Sequence, residues 1–157
     1  MGLPDRKDVP VHQTWDVGIL YENDDAWQKD IEAEKKALAD FSKYDQKLND
    51  PETIISALDD LGEMEVRMDL LGHYGFLQQS TDMTDPHYNQ LLRILDQLDA
   101  DYNAELAKYR AQIMDNDNET LDAVSDKRPN LGAAIRELKK KKKHRLSSEV
   151  ESALSSI

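Results

Sequence analysis

Two aspartate-proline pairs, Asp50-Pro51 and Asp85-Pro86, each stand at the head of a long apolar stripe. Proline at the first helical position needs no amide partner and has its φ preset, and an aspartate before it caps the free amides of the first turn. Each pair therefore predicts a helix start. After the first, Ile54, Ile55, Leu58, Leu61, Met64, Met68, Leu71, Tyr74 and Leu77 recur at helical spacing, a rod of about 28 residues and roughly 40 Å. After the second, Tyr88, Leu91, Leu95, Leu98, Tyr102, Leu106, Tyr109 and Ile113 do the same at near-heptad spacing. Only the polar turn Ser80-Thr81-Asp82-Met83-Thr84 separates them. Two such rods hide their stripes by packing antiparallel, which predicts a long αα-hairpin.

A third stripe precedes the hairpin. Asn23-Asp24-Asp25 supplies N-cap chemistry, and Trp27, Ile31, Leu38, Phe41, Tyr44 and Leu48 predict one amphipathic helix to about residue 49. Gly62, Gly72 and Gly75 inside the second rod each cost about 1 kcal/mol relative to alanine, and so read either as a close crossing or bend or as tolerated glycines in a helix held by packing. No alternating β pattern survives anywhere, so the fold class is all-α. The predicted division is an extended arm over 1–22, where Pro4 and Pro10 disfavour helix, and a bundle of three long antiparallel helices over 23–114. Short helices follow over 115–157, from Glu119 to Val124 and after Pro129-Asn130. Five lysines, Lys139 to Lys143, are predicted to fray the last of these unless acids compensate them. Ser148 and Glu151 form a Ser-x-x-Glu capping box, which reads as the start of a linker helix into a further domain.

Composition excludes several function classes. A net charge of −12 repels phosphate, which argues against nucleic-acid and anionic-membrane partners. No stretch approaches the roughly 20 apolar residues of a membrane span. With no cysteine there is neither a disulfide framework nor thiolate chemistry, and the expected location is the cytoplasm. Of the four histidines, His12, His73, His87 and His144, none pairs with another at the i, i+4 spacing of a zinc helix. Asp69 and His73 share that spacing and read as a surface ion pair or hydrogen bond; His73 and His87 flank one turn without a third ligand. The acidic pairs Asp24-Asp25, Asp59-Asp60 and Glu63 with Glu65 read as solvated helix faces. Catalytic, cofactor-binding and metal residues are accordingly all read as none. The lysine run reads as a solvated segment paired with acidic neighbours, and the Tyr74, Tyr88, Tyr102, Tyr109 series as core.

Several motifs in order resemble one family. Val9-Pro10, Thr14-Trp15-Asp16, Leu20-Tyr21 and Trp27 are similar to the opening of oligoendopeptidase F, a bacterial zinc metallopeptidase family related to thimet oligopeptidase. Asp50-Pro51-Glu52, Tyr74-Gly75, Asp82-x-Thr84-x-Pro86-x-Tyr88, and His144-x-Leu146-Ser147 with Glu151 continue the resemblance. It implies an all-helical N-terminal region that walls a deep channel and limits substrates to short peptides. Zinc and its His-Glu-x-x-His helix would lie in a catalytic domain outside this sequence, which has no such motif. The implied partners are that catalytic domain and short peptides; the alternative is a free-standing helical module for protein–protein interaction. Apolar residues on the arm and late helices are expected to make the isolated chain a homodimer.

Overall fold

Both aspartate-proline pairs start helices. The computed structural model describes residues 8–143, and its five α-helices are α1 (Asp24–Asp40), α2 (Pro51–Thr81), α3 (Pro86–Asp115), α4 (Asn118–Lys127) and α5 (Gly132–Lys142). No strand occurs among the described residues, so the fold is all-α. Asp50 takes the Thr53 amide on Oδ1 at 3.0 Å and the Thr53 hydroxyl on Oδ2 at 2.7 Å. Those bonds hold the Asp50 carboxyl below its usual range. Asp85 caps α3 through the His87 amide at 2.8 Å, and Asp82 closes the turn before it through Thr84. Asn23 and Asp117 cap α1 and α4 through the amides of Ala26 and Thr120.

The chain divides into two compact units. The first takes residues 8–43 and Asp59–Glu105; the second takes Tyr44–Leu58 and residues 106–143. In the first unit, the α2 and α3 segments run antiparallel: Gln79 donates to Asn89 at 2.8 Å, and Gly75 lies against Leu92 and Leu95. Trp27 and Ile31 of α1 share a core with Leu71, Tyr74, Leu91 and Leu98. The arm is not wholly extended. It makes 3-10 turns at Val11–Gln13 and Val17–Ile19, because Asp16 captures the Gly18 amide, and it sends Val17 and Tyr21 into that same core. In the second unit, α4 and α5 pack together and bury Leu121, Val124 and Ile135, while Asn116 donates its side-chain amide to the Leu48 carbonyl at 2.7 Å.

One predicted boundary moved. The first helix ends at Asp40 rather than near residue 49, and Phe41–Tyr44 continues as a 3-10 turn with Phe41, Tyr44 and Leu48 still buried. Gln46 ends the winding. It sits at φ 57°, the left-handed region, and gives its amide to Gln112 Oε1 at 3.0 Å instead of to a helical carbonyl. The lysine run, in contrast, stays helical to Lys142. Lys139 pairs with Asp122 and Lys140 with Glu137, each at 2.7 Å, and Lys142 donates to the Asn116 carbonyl. The cations also face the negative end of the helix dipole. The predicted capping box at Ser148 and Glu151 lies outside the described residues, as does His144.

Of the three glycines in α2, only Gly75 serves a close approach: a Cβ there would stand 3.2 Å from Leu92 Cδ2, whereas Gly62 and Gly72 face open space. Gly62→Ala is expected to stabilise the chain by about 1 kcal/mol, the intrinsic helix preference. Gly75→Ala should gain less, because the leucine must yield. Thermal melts of the two variants followed at 222 nm provide the comparison.

Candidate functional site

The side chains that sequence marked as chemically interesting do not converge. His73 donates from Nδ1 to the backbone carbonyl of Asp69 at 2.6 Å, one turn back, so the Asp69–His73 pairing is a hydrogen bond to main chain and not to the carboxylate. His87 instead reaches Asp24, donating from Nε2 to Oδ2 at 2.7 Å. The two histidines flank the same turn with different partners. Among the described residues no group of three His, Cys, Asp or Glu side chains is placed to hold a metal.

Polar side chains instead fasten α1 to the hairpin. Asp24, in the first turn of α1, also accepts the Tyr74 hydroxyl on Oδ1 at 2.6 Å. Burial first, and then that bond, push the Tyr74 phenol up to about 12. Tyr21 donates to Asp30 at 2.8 Å and is pushed up more strongly for the same two reasons. The tyrosine ring at 21 meets Tyr74 edge-on at 5.3 Å, which joins the two polar contacts through one apolar contact.

Further along α1, sequence reasoning missed a residue. Glu34 is fully buried, and Arg67 of α2 donates to its Oε2 at 2.6 Å. Its other oxygen, Oε1, has no hydrogen-bond partner among the described residues. Burial raises the Glu34 carboxyl above the usual range, and the Arg67 guanidinium offsets only part of that. The signal was present in the spacing: 34 falls in the seam of Trp27, Ile31, Leu38 and Phe41. A buried, raised carboxyl is a candidate general acid when it faces a cleft. Glu34 faces a guanidinium inside the core and lines neither the α2–α3 groove nor the shallow one beside Arg67.

A groove of about 400 Å³ lies between the α2 and α3 segments of the first unit. Met68, Gly72, Phe76 and Leu95 form its apolar floor, and Asp69, Asp96 and Asp99 its rim, with His73 beside them. Phe76 is 62% exposed. Beside the groove, Val66, Leu70 and Leu77 form an apolar stripe that continues through His73 at helical spacing, also open to solvent. Apolar residues thus occupy two sides of α2, one buried and one not, which is the pattern of a helix covered on both sides. No described helix is long and apolar enough to cross a membrane.

Along nearly its whole length the chain is similar to oligoendopeptidase F proteins. It is 26% identical over 156 residues to the oligopeptidase PepF of Bacillus subtilis, covering 97% of this chain and 23% of that protein. It is 23% identical over 155 residues to an oligoendopeptidase F homolog of Borreliella burgdorferi, covering 95% of this chain and 26% of the relative. The chain therefore spans about a quarter of the length of these curated relatives. No family model matches it, and no solved structure matches it significantly.

Proposed function

We propose that this chain is a non-catalytic helical region of an oligoendopeptidase F-like zinc peptidase, one that helps wall the substrate channel and limits substrates to short peptides. The observation that carries the reading is the similarity over 95–97% of the chain to proteins about four times its length. Two features agree with it. The sequence has no His-Glu-x-x-His motif on which a zinc ion could activate water. The outer stripe of α2, with Val66 62% and Leu70 40% exposed, suits a surface covered by further protein. In this reading zinc belongs to the catalytic domain, the partners are that domain and short peptides, and the cytoplasm is the working compartment.

The test is direct. The purified chain, supplied with a zinc salt and quenched-fluorescence peptides, should cleave nothing. Robust, chelator-sensitive cleavage would overturn the assignment. The coding sequence downstream of Ile157 gives the second arm: continuation into a His-Glu-x-x-His helix supports the reading.

The exposed stripe also favours a second reading, a free-standing interaction module that pairs with a partner or with its own copy. At about 25 cal/mol per Å² of apolar area, a few hundred Å² suffice for self-association. A stop codon directly after Ile157, together with a dimeric mass by light scattering, would favour the module over the peptidase region.

A further inference from the structure

We infer that the groove between Met68–Phe76 and Leu95–Asp99 binds short peptides in which a bulky apolar residue is flanked by cationic ones. The inference rests on the peptide-handling role proposed above and adds to it a substrate class and a place.

The argument begins with charge. The acids of this chain outnumber its Lys and Arg residues 32 to 20, and three acids of the first unit take a lysine neighbour. Glu32 has Lys35, Asp40 has Lys36, and Asp60 has Lys43. The three carboxylates around the groove have none: no described Lys, Arg or His pairs with the side chains of Asp69, Asp96 or Asp99. Three like charges of one sign around one concavity focus a negative potential into it, and a cation entering there meets partners that are not already neutralised.

Shape and polarity narrow the ligand further. The floor carries a flexible thioether, a branched leucine and an open phenyl ring, which together accept an aliphatic or aromatic side chain without demanding one shape. Gly72 keeps the middle of the floor low, since a Cβ there would touch nothing within 4 Å. His73, with Nδ1 committed to the Asp69 carbonyl, keeps Nε2 as an acceptor in its neutral form, suited to a peptide N–H. A purely cationic ligand would leave the floor wet, and a purely apolar one would leave the rim unpaired. The volume, about 400 Å³, holds one or two side chains rather than a protein domain.

Two capped peptides make the probe, one with a leucine flanked by arginines and its twin with glutamates in place of the arginines. Each is titrated into the ¹⁵N-labelled full chain at low and at physiological salt. The arginine peptide is expected to shift the amides of residues 68–76 and 95–99, with weaker binding at higher salt, and the glutamate peptide to leave them in place. The double variant Asp96→Asn/Asp99→Asn, both positions exposed, should weaken the arginine peptide about fivefold, as expected for two rim charges. Gly72→Leu should abolish binding by filling the floor; if that variant does not fold, the asparagine pair decides. Equal response to both peptides, no response, or shifts confined to other residues would overturn the inference. So would the same shifts appearing on concentration alone with a doubled mass, since a second copy would then be the occupant. Mass spectrometry of the recovered peptide separates the two proposals: chelator-sensitive cleavage sinks the non-catalytic assignment, whereas an intact peptide with a silent groove sinks only the groove.

Discussion

Trp27→Ala is expected to cost about 4 kcal/mol, the range for emptying a buried aromatic site. The indole is fully buried, lies nearly parallel to Tyr74 at 6.4 Å, and donates its Nε1–H to the Leu71 carbonyl at 3.0 Å across 44 positions of sequence. Three losses therefore coincide: the transfer energy of the ring, the contacts of the walls that remain, and a buried hydrogen bond. Trp27→Phe separates them, because it keeps most of the ring and removes only the donor, for a loss of about 1–2 kcal/mol. Urea titration followed by far-UV circular dichroism measures both. If the alanine variant lost less than about 1 kcal/mol, α1 would not be held to the hairpin by this residue. A domain of this size has only about 5–15 kcal/mol in hand, so the alanine variant should also be visibly less soluble on expression.

The second large effect is electrostatic. Arg67→Ala should cost about 3 kcal/mol near neutral pH, the low end for breaking a buried pair. The low end applies because the Arg67 side chain remains 30% exposed while that of Glu34 is only 1% exposed. What is lost is less the attraction than the tolerance of a buried anion. The sign of the pH dependence follows from the raised carboxyl of Glu34. Between its unfolded and folded values the native state holds more protons than the unfolded chain, so this group favours folding more as pH falls and less as pH rises through the folded value. Removing Arg67 raises the folded value further. The deficit of the variant relative to its parent should therefore shrink when both are compared at pH 5 instead of pH 7. Comparing the two proteins at each pH cancels the acid losses from carboxyls such as Asp50 and Asp82, which hydrogen bonds hold low. Adding Glu34→Gln should restore much of the stability at neutral pH; a deficit that is flat with pH and insensitive to glutamine would show that packing of the Arg67 stem, not charge, is at stake.

Sequence carried the helices and lost the exceptions, for identifiable reasons. Asp50-Pro51 and Asp85-Pro86 were legible because capping is local chemistry, complete within four residues. The end of α1 was not. Apolar spacing continues through Phe41, Tyr44 and Leu48, and all three are buried, but burial does not require that the backbone between them stay α-helical. The partner that draws Gln46 out of the helix, Gln112, is 66 residues away and invisible to any local window. The lysine run met its stated condition: acids compensate it, Glu137 from its own helix, whereas the sequence could not say that Asp122 and the Asn116 carbonyl would be the partners from elsewhere in the chain. Glu34 was hidden by its type. A glutamate in an apolar seam looks like an interruption until an arginine on another helix is seen opposite it. The groove is a similar case, since Asp69 was read for its spacing to His73 while its relation to Asp96 and Asp99 depends on how α2 meets α3.

The left-handed residue at the end of α1 also bears on how sequences of this kind can drift. At φ 57° the side chain of Gln46 is a steric burden and its amide is the useful part. Glycine, asparagine and aspartate carry that backbone at lower cost, whereas valine, isoleucine and threonine crowd it. Position 46 should thus accept a narrow, chemically mixed set of residues that no hydropathy scale would group together. Its neighbour in space, Gln112, should vary with it only where another acceptor can reach the same amide. Random mutagenesis with selection for a folded reporter would reveal such a site as a sharp local restriction inside a segment whose polar residues otherwise vary freely.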